Sequence, residues 1–146
     1  MDLERERVRV RSGRPEAMPL GAPEELYIRA RRALRRDDRR AAESSIALLS
    51  RSLETHFALE DRVYFPAVAA LRPALGPSLQ RLRLQHEQML AFLAELLARV
   101  FTDGLESLAE SLAELISTFE RHEGDEEAIL ATLDAEPDGL SDGKAP

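Results

Sequence analysis

The sequence contains no cysteine. That absence excludes disulfides, thiolate metal sites and thiol nucleophiles together, and leaves His, Asp and Glu as the side chains suited to hold a metal ion. Lysine is almost missing too, with arginine supplying nearly all the positive charge; we read this as base composition, with little functional content. No apolar run approaches the roughly 18 residues of a membrane span, and the opening MDLERERVRVR lacks the apolar stretch of a signal peptide. These absences predict a cytoplasmic protein without a membrane partner. A formal net charge of −7 argues against general nucleic-acid binding, which draws most of its affinity from basic surface. Strand patterns and short internal repeats are absent as well.

What is present is helical. The chain has 146 residues, 44% of them hydrophobic, enough for one domain with a sizeable core. Residues 1–22 mix charge with Gly13, Pro15, Pro19 and Gly21 and predict a mobile arm; Met18 inside it offers a second candidate start. From Pro23 onward apolar residues recur at intervals of three and four. A first, short stripe holds Tyr27, Ala30 and Leu34. A second runs from Ala42 through Ile46, Leu49 and Leu53 to Val63 and Ala67, with Pro66 predicting a kink or an irregular last turn. RPALGPS at 72–78 connects to a third stripe from Leu79 to Val100, and Asp103-Gly104 turns into a fourth from Leu105 to Leu133. Residues 136–146 predict a polar, disordered tail. The expected fold is all-α, an antiparallel up-down-up-down four-helix bundle over residues 23–135.

The stripes carry polar residues where leucine is expected. His56 and Glu60 interrupt the second, His86 the third, and His122 and Glu126 the fourth. Tight turns place His86 and His122 at one height and bring Glu60 close to it. All three histidines thus converge on one layer, two of them with a Glu four residues on, where helical geometry stacks side chains on one face. A lone histidine in such a stripe is more often a satisfied core residue than a ligand. Here five polar groups share the layer, and each left unpaired costs about 1 to 3 kcal/mol. A divalent metal satisfies imidazoles and carboxylates together, and in a thiol-free site the donors suit iron, manganese or zinc.

The residues also carry a resemblance. HFALEDRVYFPAV at 56–68, LQHEQMLAFLAEL at 84–96 and FERHEGDEEAILATL at 119–133 are similar to motifs of the hemerythrin-like family, also called the HHE cation-binding domain, over roughly residues 24 to 134. The resemblance implies a four-helix bundle around a non-heme di-iron centre, with His56, His86 and His122 as terminal ligands and Glu60 and Glu126 as bridges. Two departures stand out: no histidine lies on the first helix, and Leu90 stands where oxygen carriers of the family place a second histidine after His86. Glu24, with Tyr27 behind it, is a candidate for the missing donor. Glu87, Glu123, Asp125 and Glu127 read as solvated flank charges, with Glu123 and Glu127 near enough to replace a ligand.

The arginine-dense run at 29–40 reads as a solvated helix end favoured by the C-terminal dipole. Phe119, one turn from His122, is a core residue placed to line a ligand pocket. The expected function is binding or sensing of dioxygen or nitric oxide at iron, two ions by the resemblance, with one iron, manganese or zinc as alternatives. Two other classes stay open: an iron-handling oxidase or peroxidase, and a metal-free helical interaction module.

Overall fold

The computed structural model describes residues 21–135. Most of the arm assigned to residues 1–22, and the whole tail at 136–146, lie outside that range. Helix α1 (Pro23–Arg35) opens with Pro in its first turn, Glu24 and Glu25 near its positive end, and Arg32 and Arg35 near its negative end. Its buried face is Pro23, Leu26, Ala30, Ala33 and Leu34, so Leu26 takes the inward place that spacing assigned to Tyr27. The helix closes with Asp37 at φ 57 and the Asp38 N–H bonded to the Ala33 carbonyl, 2.9 Å, a left-handed stop that Asp tolerates better than most residues. Asp38 then caps the next helix, its side chain accepting from the Ala41 N–H at 3.0 Å.

Helix α2 (Arg39–Leu59) passes into a π-helical segment (Glu60–Tyr64) and on into α3 (Phe65–Leu71) as one rod. The Phe65 N–H reaches the Glu60 carbonyl, five residues back, just before Pro66, whose ring cannot join an ordinary helical ladder. The wider turn absorbs one extra residue. Everything after it is rotated, so Tyr64, Phe65 and Val68 are buried while Val63 and Ala67, the expected core positions, are only half-buried. A short 3-10 turn (Pro73–Leu75) leads to α4 (Gly76–Arg99), and α5 (Leu105–Ala135) completes the bundle. No strand occurs among the described residues.

Helix α1 packs on α2 and α5, α2 on α4, and α4 on α5. At one end of the bundle Arg39 donates to the carbonyls of Val100 at 2.8 Å and Asp103 at 2.7 Å, fastening the α4–α5 turn to the start of α2. Arg39 is therefore a clasp, whereas Arg29, Arg32, Arg35, Arg36 and Arg40 are exposed as expected.

The core is divided. One apolar cluster, with Leu26, Ile46, Leu53, Phe57, Leu93 and Phe119 among its members, joins α1, α2, α4 and α5. A second, of Tyr64, Phe65, Val68, Leu79, Leu82, Leu130 and Leu133, joins the π segment, α3 and the adjoining ends of α4 and α5. Helix α1 contributes only to the first. Its start is fixed by Ser52, whose hydroxyl donates to the Gly21 carbonyl at 3.0 Å, so α1 begins one turn short of the level of His56.

Candidate metal centre

Between the two apolar clusters lies a polar layer. His56, Glu60, His86, His122 and Glu126, the five residues singled out by spacing, are all buried there. His86 is 1% exposed, its ring stacked on Phe57 at 3.9 Å between centroids and 7° between planes, with Phe65 near its other face at 5.6 Å.

The partners of each ring assign its tautomer. Nδ1 of His86 lies 3.0 Å from Oδ1 of Asp61, a carboxylate oxygen that accepts, so in the neutral ring Nδ1 carries the proton and Nε2 a lone pair. Arg83 supports Asp61 from outside, Nε to Oδ1 3.9 Å. Nδ1 of His122 lies 2.6 Å from Oε1 of Gln85, whose amide nitrogen donates to Oδ2 of Asp125 at 3.3 Å. That second bond orients the amide, and His122 too has its proton on Nδ1 and a lone pair on Nε2. Bonds of this kind steer metal-binding imidazoles generally.

The two bare Nε2 atoms are 3.1 Å apart, and Oε1 of Glu60 is 2.9 Å from that of His86. Two nitrogens and a carboxylate oxygen thus face one another at hydrogen-bond distance inside the layer. Such a group of donors is one that a metal ion could satisfy. Metal–donor bonds of about 2.0 to 2.2 Å hold neighbouring donors roughly 3 Å apart, which is the spacing observed.

A second group adjoins the first through Glu60. Nε2 of His56 is 3.0 Å from Oε2 of Glu60 and 3.8 Å from Oε2 of Glu123. Glu126 stands between the two groups, its Oε1 3.9 Å from Nε2 of His122 and its ligand atoms close to those of His122 and Glu123. The donor sets able to hold an ion are thus Glu60, His86 and His122; His56, Glu60 and Glu123; and His122, Glu123 and Glu126.

The electrostatics match this division. Burial pulls His56 down, but hydrogen bonds and charge from Glu123 and Glu60 outweigh it and lift the ring to about 9. Burial and then the neighbouring His86 push His122 down to about 4. For Glu60 burial acts upward, yet its hydrogen bond and charge interaction with His56 hold the carboxyl well below the usual range. A divalent ion bound in this layer would meet an ionised Glu60 and a neutral His122, and would displace one proton from His56.

The other candidates fall elsewhere. Glu24 is exposed and belongs to none of the three donor sets, because Leu26 occupies the inward face of α1. Tyr27 is half-buried, with Arg31 above its ring at 5.5 Å and bonded to its hydroxyl at 3.5 Å. Glu87, Asp125 and Glu127 are exposed, while Glu123 leans into the layer. Asp61 and Gln85 escaped the reading by periodicity. Each precedes or follows a stripe residue directly, at Glu60 and His86, and that adjacency was the available signal.

The chain has no match among the curated proteins or the solved structures. The model of the hemerythrin HHE cation binding domain matches residues 24–133, so the chain belongs to the hemerythrin HHE cation binding domain family.

Proposed function

We propose that the protein holds a pair of metal ions, iron foremost, and uses them to bind or sense a diatomic ligand such as dioxygen or nitric oxide. His86, His122 and Glu60 would hold one ion and His56 and Glu60 would serve the other, with Glu126 close beside His122. The observation that carries this reading is the placement of Glu60, which turns one carboxylate oxygen toward each set of donors. Bound iron supplies a redox-active ion able to take a small ligand. The chain's own residues do the rest. Asp61 and Gln85 keep the Nε2 lone pairs of His86 and His122 aimed inward, and the buried rings of Phe57 and Phe65 against His86 shield the layer from water.

Elemental analysis after anoxic purification tests the reading. Two equivalents of iron are expected, falling to one or none in His86→Ala, with helical circular dichroism retained because leucine packing supplies most of the fold. Full occupancy in His86→Ala would sink the assignment. A nitric oxide titration of the reduced protein then checks the small ligand. The carboxylates around His56 favour a second reading, an iron-handling oxidase, since oxygen donors stabilise ferric iron; turnover of ferrous iron above a free-iron control separates the two.

A further inference from the structure

The His56 position is short of nitrogen. His56 is its one imidazole, and α1, beginning level with Ser52, brings no donor to that height among the described residues. What approaches instead is Glu123. It follows His122 by one residue, and the 100° step of a helix carries it from the His86 side of the layer round to His56. The residue is 25% exposed on its outer flank, yet its Oε2 is shielded from solvent and lies 3.8 Å from Nε2 of His56. With Oε2 of Glu60 at 3.0 Å from the same nitrogen, ligand atoms of the three residues lie within 4.8 Å of one another, close enough to share a single ion with bonds of about 2.0 to 2.2 Å.

We propose that Glu123 is the third donor of this position and makes the two ions chemically unlike. This rests on the metal-binding reading above and extends it to selectivity. One position offers two imidazole nitrogens and one carboxylate oxygen; the other offers one nitrogen and two carboxylate oxygens. Imidazole favours Fe(II) over Mn(II), whereas carboxylates suit Mn(II) well. Fe(II) therefore has its larger advantage at the nitrogen-rich position, and with one equivalent of each metal per chain it fills that position and leaves the oxygen-rich one to Mn(II).

The test is an anoxic titration of the metal-free full chain with Fe(II) and Mn(II), separately and as a mixture of one equivalent of each per chain, read by elemental analysis and by the electron spin resonance of free Mn(II). Wild type should bind two ions of either metal alone and one of each from the mixture. Glu123→Ala should keep the first ion and bind the second roughly tenfold or more weakly. Glu123→His should bind two ions of iron alone and hold a smaller share of the manganese from the mixture. Two ions bound by Glu123→Ala at wild-type affinity, or an unchanged manganese share in Glu123→His, would overturn the proposal while leaving metal binding intact. A wild-type protein that binds neither metal overturns the underlying reading instead. Glu123 is partly exposed, so circular dichroism should show all variants folded.

Discussion

Two residues outside the candidate donor sets decide which nitrogen of His86 and His122 is turned into the layer with a lone pair. Asp61 and Gln85 hold protons on the outer nitrogens of His86 and His122, and without them each imidazole is free to place its proton on Nε2. Asp61→Ala should lower metal affinity about 10- to 100-fold with no loss of helix, and Asp61→Asn should lose less, because its carbonyl oxygen still accepts. Equal affinities across the three proteins, measured by competition with a chelator, would show that Asp61 does not act on the tautomer. The same layer makes the metal-free protein sensitive to pH in both directions. His56, lifted to about 9 from 6.5, stabilises the fold fully below pH 6.5, and that stability is lost as pH rises through 9. His122, lowered to about 4, contributes above pH 6.5 and loses its contribution as pH falls toward 4, with Glu60 acting in the same sense at lower pH. The urea midpoint of chelator-treated protein should therefore peak near pH 6.5, and His56→Gln should flatten the alkaline limb. The five buried polar residues of the layer were legible in the sequence because a polar residue inside an apolar stripe is conspicuous. Asp61 and Gln85 were not, since neither lies on a stripe and each acts only through a neighbouring helix.

At the scale of elements, the π segment marks the limit of periodic reading. A repeat of three and four cannot register one additional residue, so the order of the rods was legible while the burial of Tyr64 and Val68 in place of Val63 and Ala67 was not. Pro66 was the only sign. Because the segment is an insertion into an otherwise regular rod, removing the exposed Arg62 together with Pro66→Ala should give a continuous α-helix with the downstream core unchanged. That protein should melt cooperatively. Deleting Ser50 instead rotates the whole of the rod beyond it by about 100° and should abolish the cooperative transition. The far end of the bundle gives a separate prediction. Asp38→Ala removes the cap of α2 and should cost about 1 kcal/mol, and Arg39→Ala, which frees two carbonyls, about 1.5 to 3 kcal/mol. Neither should change metal content, because the apolar cluster around Ile46 and Leu93 separates that end from the layer. Iron lost from either variant would contradict this.

For the whole molecule, metal and fold are linked. An ion that binds only the native chain adds about 2.7 kcal/mol at a free concentration one hundred times its Kd, which for a domain of this size raises Tm on the order of 10 °C. Chelation should reverse the gain, and an unchanged Tm would favour a metal-free interaction module. The divided core carries a further consequence. The cluster around Phe65 and Leu130 is built without α1 and touches the rest of the molecule across five polar side chains. In the metal-free chain that seam is the weakest plane, so the π segment, α3 and the adjoining ends of α4 and α5 can open together while the larger half stays closed. Native-state amide exchange should then show two classes of protection with a boundary at Glu60, His86 and Glu126. A shared ion clamps both halves, and the two classes should merge into one cooperative unit.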